Sequence, residues 1–289
     1  MKLTVFTPTY NRAHLLGRVY ESLKNQTCKD FCWLIVDDGS TDRTKEVVHE
    51  FINENLIPIR YEYKANGGKM RAHNLGVQLC DTPLFVCLDS DDYFTVTAVE
   101  DIISTYELIP KEEQSRFAGI VAHKGKSETE LLSMVEFPDV SDTTLYGLYL
   151  RGFSGETTLV FRTEVIAEYP FPEFEGEKYV PEDYVYDKID RKYVLKVLPK
   201  ILTVCEIVEQ GYTDSVKKLK QENKQAWCAY YEQRARITKT SVLRMKYVSF
   251  YMIYAKRCKR KIYQKETYPW YLILPGFLGA MILLMLGKE

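Results

Sequence analysis

The stretch Leu84-Phe85-Val86-Cys87-Leu88-Asp89-Ser90-Asp91-Asp92 sets five apolar residues directly before three carboxylates in four positions. A nearly all-apolar run of this length reads as a strand buried on both faces, as strands of parallel sheets are. Carboxylates crowded at its end repel one another and lose hydration, so a cationic group belongs beside them. A divalent ion with oxygen ligands fits. Mg²⁺ or Mn²⁺ commonly sits between one or two carboxylates and a substrate diphosphate. The plainer reading of the same residues is an Asp-rich turn that caps the next helix.

The pattern repeats outward from this strand. Leu3–Phe6, Phe31–Val36 and Ile57–Tyr63 are β-prone runs. Between them, residues 13–24, 42–54 and 69–80 carry apolar groups at helical spacing, for example Leu15, Leu16, Val19, Tyr20 and Leu23. A helix near 95–108 and a strand near 117–122 follow. Strands alternating with helices imply βαβ units: an α/β fold with a mostly parallel, Rossmann-like sheet flanked by helices. Ligands of such sheets bind outside the carboxyl ends of the strands. Four polar clusters follow strands here: Thr7-Pro8-Thr9-Tyr10-Asn11-Arg12, Asp37-Asp38-Gly39-Ser40, Asn66-Gly67-Gly68-Lys69 and Asp89-Ser90-Asp91-Asp92. All four should converge on one edge. Residues 123–210 lose the clean alternation and read as the second half of the same domain, covering the sheet edge.

The clusters also have local readings. Asp37 or Asp38 can accept from a base N–H or ribose hydroxyls, as acids do in nucleotide folds; alternatively Asp-Gly-Ser makes a turn and Ser40 or Thr41 caps a helix. The amides of Asn66-Gly67-Gly68, with Lys69 and Arg71, can hold phosphate oxygens. Neither GxxxxGK[ST] nor GxGxxG occurs, which excludes a P-loop and weakens a dinucleotide site.

Composition bounds the rest. The chain has 289 residues, 46% hydrophobic and 27% charged, which excludes disordered and collagen-like classes. Seven scattered cysteines without a CxxC pair fit reduced thiols, and the four histidines show no zinc-site spacing. The apolar run after Met1-Lys2 is too short for a signal peptide, so a cytosolic body is expected. The net charge of −1 hides a split: residues 211–265 hold 15 Lys and Arg against 3 Asp and Glu, net +12, leaving −13 on the remainder.

In order and spacing, Thr7 to Arg12, Val36 to Asp42, Gly68-Lys69 through Ala72-His73-Asn74-Leu75-Gly76, and Leu88 to Asp92 closely resemble family 2 glycosyltransferases of the GT-A fold. The resemblance is strong over residues 3–92 and weaker to about 210. It implies an inverting, metal-dependent transferase that uses a nucleotide-sugar, with UDP favoured by family habit. By position, Thr7, Pro8, Tyr10 and Arg12 would line the nucleotide, with Asp37 on the base and Asp38 beside it. Gly68, Lys69 and Arg71 would lie near base or phosphates. Asp89 and Ser90 would adjoin the ribose or donor sugar. Asp91 would bind Mn²⁺ or Mg²⁺, with Asp89 and Asp92 as further metal candidates. The family's acceptor-side Glu-Asp pair matches Glu182-Asp183. An acceptor hydroxyl must lose its proton as it attacks, and a carboxylate within reach takes it; Asp183 is favoured, with Glu182 the competitor. Glu156 is a further candidate for a sugar contact, and Glu177 a weaker one. The implied division is 1–122 as the nucleotide-sugar-binding half, 123–210 as the acceptor-binding half, and 211–289 as a basic, aromatic helical region with an apolar tail.

That last region sets Arg244, Lys246, Lys256, Arg257, Lys259, Arg260, Lys261 and Lys265 among Tyr247, Phe250, Tyr251, Tyr254 and Tyr263, then continues into uncharged Tyr268–Leu286. Cations beside an apolar segment suit an anionic cytoplasmic leaflet, with aromatic rings in the headgroup layer. Pro269 and Pro275 should kink the tail, so residues 244–286 are expected as a peripheral or re-entrant anchor, with a full span and a buried helix or oligomer contact as alternatives. No nucleic-acid motif is present. The resemblance to enzymes of bacterial capsule, O-antigen or lipopolysaccharide assembly points to a glycan or lipid-linked glycan acceptor. The rival readings are a non-catalytic membrane-anchored partner of the same fold, and a haloacid-dehalogenase-type phosphatase, for which Tyr93 stands where Thr or Val is expected.

Overall fold

Seven consecutive buried residues, Phe31–Asp37, form the strand around which the sheet is built. The computed structural model describes residues 1–205 and 216–287. Its strands are β1 (Leu3–Thr9), β2 (Phe31–Asp37), β3 (Ile59–Tyr63), β4 (Leu84–Cys87), β5 (Asp92–Phe94), β6 (Phe117–Gly125), β7 (Asp142–Thr143), β8 (Thr157–Arg162) and β9 (Val194–Cys205). Helices α1 (Ala13–Lys24), α2 (Thr44–Glu54), α3 (Lys69–Leu79), α4 (Ala98–Glu107), α5 (Leu145–Leu150), α6 (Thr163–Ala167) and α7 (Asp183–Ile189) alternate with them. The sheet order is β3-β2-β1-β4-β8-β6-β9-β5, with β7 on β9.

The pairs β3–β2, β2–β1 and β1–β4 are parallel, whereas β8 runs antiparallel to both β4 and β6. β9 is again parallel to β6. The register places Thr9 beside Asp37 and Phe6 beside Cys87, so the first, second and fourth strands end at one edge. One sheet face packs on a core that includes Leu16, Tyr20, Trp33, Phe51 and Ile102. On α3, Gly76 lies against the Phe6 ring, where a Cβ would collide.

Residues 123–205 differ from the expected edge cover. β8 enters the sheet directly beside β4, and β9 continues it beyond β6. These strands were hard to read: β8 lies outside the regular strand–helix alternation, and β9 is interrupted by Lys196, Pro199 and Lys200. β9 also pairs with β6 through register shifts around His123 and Lys124, where bulge-like irregularities re-aim side chains.

The chain divides into two compact units. One holds Met1–Pro170 and the residues from Val185 through β9; the other holds Phe171–Tyr184 and the described residues from α8 onward. The second unit contains α8 (Val216–Glu222), α9 (Lys224–Ile237), α10 (Ser241–Arg257) and α11 (Ile273–Met285). Its core is aromatic: Tyr230, Tyr231, Phe250, Tyr251, Tyr254 and Tyr268 are buried, and the Tyr231 and Phe250 rings stack 4.8 Å apart. This corrects the expectation that the rings of 247–254 lie in a headgroup layer. Positions 247, 250, 251 and 254 follow the i, i+3, i+4, i+7 spacing of a core-facing helical stripe. Tyr263 alone of the five is exposed. The tail differs too. Pro275 falls in the first turn of α11, where no intrahelical amide is lost. No helix among the described residues is long and apolar enough to cross a membrane. The 13 residues of α11 reach only about 20 Å against a hydrocarbon core of about 30 Å.

Candidate active site

Three loops at the strand ends are tied to one another by side chains the sequence places there. Asn11, in the left-handed region at φ 52°, accepts from the amides of Thr41 (2.8 Å) and Asp42 (3.3 Å). Its own amide donates to Ser40 Oγ at 2.8 Å. Asp42 accepts from the first amide of two helices, Ala13 of α1 at 3.1 Å and Thr44 of α2 at 3.0 Å. Burial alone would raise its pKa, but these bonds and the Thr44 hydroxyl hold it below the ordinary value. The helix cap is therefore Asp42, not Ser40 or Thr41.

Asp37 and Asp38 have different commitments. Asp38 accepts from Lys64 Nζ (2.5 Å), Gly67 N (2.9 Å), Gly68 N (2.7 Å) and Asn66 Nδ2 (3.2 Å). A carboxylate offers roughly four acceptor positions, so Asp38 is spent on shaping the 66–68 loop. The two glycine amides are spent with it, which corrects their expected role as a phosphate cradle. Gly39 (φ +88°) is required here, since a Cβ would lie 2.7 Å from the Asn66 amide. Asp37 accepts from Ser40 N (2.7 Å) and the Tyr61 hydroxyl (2.6 Å), leaving roughly two positions.

The carboxylates that close the β4 strand part ways as well. Asp89 lies 2.9 Å from Lys69 Nζ. Burial opposes its ionisation, but Lys69 and Lys124 outweigh that and lower its pKa. Asp92 is buried at the start of β5, 3.1 Å from Lys124 Nζ, and accepts from Cys205 Sγ at 3.3 Å. Its pKa is pushed up to about 6, by burial first, with Lys124 opposing and Asp89 adding to the rise. Asp91 is held by neither lysine. Its carboxylate is 3.7 Å from Arg12, and its backbone carbonyl accepts from Arg18. Ser90 between them is buried.

The other expected positions are mixed. Thr7 is fully buried and its hydroxyl accepts from the Trp33 indole at 2.9 Å, so its side chain braces the strand end. Pro8 is half-buried and Tyr10 exposed. Arg71 turns back to the Gly67 carbonyl at 2.7 Å. Glu156 is exposed and pairs with Lys124 at 3.3 Å. Sequence reasoning missed Lys124, which faces Asp92 and Glu156 together; its signal is a lysine near the end of the otherwise apolar run Phe117–Ala122. No group of three or more His, Cys, Asp or Glu able to hold a metal occurs among the described residues.

Glu182 and Asp183 belong to the second unit. Asp183 pairs with Arg234 of α9 at 2.9 Å. Burial raises the Asp183 pKa most, Glu182 adds to it, and Arg234 and a Tyr230 hydrogen bond oppose it; the net direction is upward. Arg234 is 6% exposed and lies over the Tyr230 ring, 5.4 Å from its centroid. It too went unread. Glu177 accepts from Gln225 N (2.7 Å) and Ala226 N (2.9 Å) and so caps α9.

Residues 4–116 match the profile described as Glycosyl transferase family 2. A teichoic acid poly(glycerol phosphate) polymerase of Staphylococcus epidermidis is 35% identical over 99 residues, 34% of this chain and 14% of the relative. A chondroitin synthase of Pasteurella multocida is 38% identical over 98 residues, 34% of this chain and 10% of the relative. An uncharacterized glycosyltransferase of Nostoc sp. is 27% identical over 180 residues. The chain spans about half of that last relative and far less of the other two. Among solved structures, S. aureus TarS 1–349 in complex with UDP-GlcNAc superposes with a TM-score of 0.62 at 18% identity, over 89% of this chain and 73% of that one. The mannosyltransferase PcManGT from Pyrobaculum calidifontis, in complex with GDP-Man and Mn²⁺, gives 0.56 at 16%, over 99% and 79%. At such identities the likeness concerns the fold. Residues 4–116 thus carry the family 2 glycosyltransferase pattern, on a sheet of the same fold as these solved structures.

Proposed function

We propose that the chain transfers a sugar, with inversion, from a nucleoside-diphosphate donor to a hydroxyl of a glycan acceptor. A UDP-sugar is the favoured donor. The observation that carries this reading is the division of labour at the strand ends: Asp38 builds the loop, Asp37 keeps acceptor capacity, and Asp91 pairs with Arg12 at 3.7 Å where Asp89 and Asp92 pair with lysines. Asp37 receives the base N–H. Lys69 and Arg12, which pair with Asp89 and Asp91 here, offset the diphosphate charge in this reading.

The residues fit a divalent ion. Asp91 would hold it through one hard oxygen donor, the ligand chemistry that suits Mn²⁺ or Mg²⁺ beside a substrate diphosphate. When bound, such an ion stabilises the departing diphosphate as a Lewis acid. Asp183 removes the acceptor proton. Its raised pKa makes it a stronger base than a solvated aspartate, and Arg234 fixes the carboxylate. Glu182 is the competing base. The basic, apolar-tailed second unit supports a lipid-linked acceptor presented at the cytoplasmic face of a membrane, in the assembly of a surface polysaccharide.

The test is calorimetry with UDP, GDP, CDP and dTDP, each with and without Mn²⁺, on the wild type and Asp91→Asn. Metal-dependent binding of one diphosphate, lost in the variant, is expected. Binding of none of the four would move the weight to a non-catalytic anchor of the same fold.

A further inference from the structure

Among the described residues, helix α11 packs through one face. Gly276 and Gly279 let its backbone lie close on α10: a Cβ on Gly276 would stand 2.7 Å from Val248, and one on Gly279 would collide with Ser249. Ala280 and Leu283 complete the seam. The opposite side presents Leu274, Phe277, Leu278, Met281, Ile282 and Met285 to solvent, at the i, i+3, i+4, i+7, i+8, i+11 spacing of one helical stripe. Phe277 is 54% exposed and Leu278 53%. Trp270, 73% exposed, and Tyr271, 60% exposed, stand just before the helix. An apolar stripe this long is uncommon on a soluble surface and marks a site of interaction.

The neighbouring chain says what covers it. Lys256, Lys259, Lys261 and Lys265 are exposed in the ten residues that precede Glu266, and no acid lies among them. A second copy of the chain would bring the same positive charge to the contact. A lipid surface with anionic headgroups meets both features, cations at the phosphates and apolar side chains below them. The indole and phenol of Trp270 and Tyr271 suit the boundary between the two layers.

We propose that α11 is a monotopic membrane-inserting helix: it lies in the plane of an anionic bilayer, its 274–285 stripe among the acyl chains and the 256–265 lysines on the headgroups. This deepens the membrane reading of the proposed function and rests on it. The helix is too short to span, and its docking on α10 orients the stripe without any new fold element.

Co-sedimentation of the full chain with phosphatidylcholine vesicles, with and without phosphatidylglycerol, tests this. Wild type should bind the anionic vesicles, less at high salt, and Trp270 fluorescence should shift to the blue. Phe277→Glu with Leu278→Glu should weaken partitioning by at least about tenfold, with unchanged circular dichroism and nucleoside-diphosphate binding. Lys261→Glu with Lys265→Glu should remove the preference for anionic lipid. Wild type that ignores both vesicles, or a double-Glu variant that binds as well as wild type, overturns the proposal. So does a wild-type dimer in sedimentation velocity that the double-Glu change makes monomeric without any vesicle binding: the face would then belong to a second copy. Because diphosphate binding is read separately, failure here leaves the sugar-transfer reading standing.

Discussion

At the scale of single residues, the pairing of Asp183 with Arg234 makes a measurable claim about pH. The base must be ionised to accept a proton, so kcat/KM should rise with pH through an acid limb set by Asp183. Burial and then Glu182 raise that pKa; Arg234 holds it down. Arg234→Gln removes the restraining cation, so the limb should move to higher pH, and Arg234→Lys should move it back. A limb that stays in place would show that another group sets it. Lys124 is a second case. It is nearly buried between Asp92 and Glu156, and deleting one partner of a buried pair costs about 3–5 kcal/mol because the other charge is stranded. Lys124→Met should therefore lower the urea midpoint at neutral pH, and Asp92→Asn in the same chain should recover part of the loss. The aspartates were legible as a cluster, since three acids after an apolar strand are rare without a purpose. Their partners were not, because Lys69, Lys124 and Arg234 are distant in sequence and only the fold brings them near.

At the scale of elements, Asp42 does the work of two caps. One carboxylate oxygen takes the first amide of α1 and the other that of α2, while Asn11 binds the same loop from β1. Asp42→Ala should cost about 1–3 kcal/mol, two caps of roughly 0.5–2 kcal/mol each partly offset by water. Thermal unfolding checks this, and Asp42→Asn, which keeps one acceptor, should fall between. The helices from α1 to α4 were readable because each has a clear apolar stripe, such as Leu16, Val19, Tyr20 and Leu23. β5, with three residues, carries too little periodicity to separate strand from turn, and β8 went unread because it lies past residue 122, where no regular alternation of strand and helix frames it. In α10 the stripe itself misled. Tyr247, Phe250, Tyr251 and Tyr254 looked like a membrane-facing aromatic set because cations flank them, yet the same spacing is what a core-facing helix needs.

For the whole molecule, charge and contacts divide the chain at nearly the same place. The basic excess begins at residue 211 and the described part of the second compact unit resumes at α8, but that unit also claims 171–184, which no change of net charge to basic marks. Capture of that segment rests on particular bonds: Asn223 accepts from the amides of Lys178 and Tyr179, and Glu177 caps α9. The acids of Glu182-Asp183 are thereby built on the helical unit, and the nucleotide loops on the sheet. Donor binding should then be visible in one unit first. Hydrogen exchange of the full chain with a saturating nucleoside diphosphate and Mn²⁺ should slow at residues 7–12, 37–42, 64–71 and 88–94. The slowing reaches about 100-fold where opening must release ligand held at about 100 times its Kd, equivalent to about 2.7 kcal/mol. Amides of α9 and α10 should exchange at their ligand-free rate. Protection that appears in α9 and α10 while the strand-end loops stay fast would place the donor on the helical unit, and the roles given to Asp37 and Asp91 would fall with it.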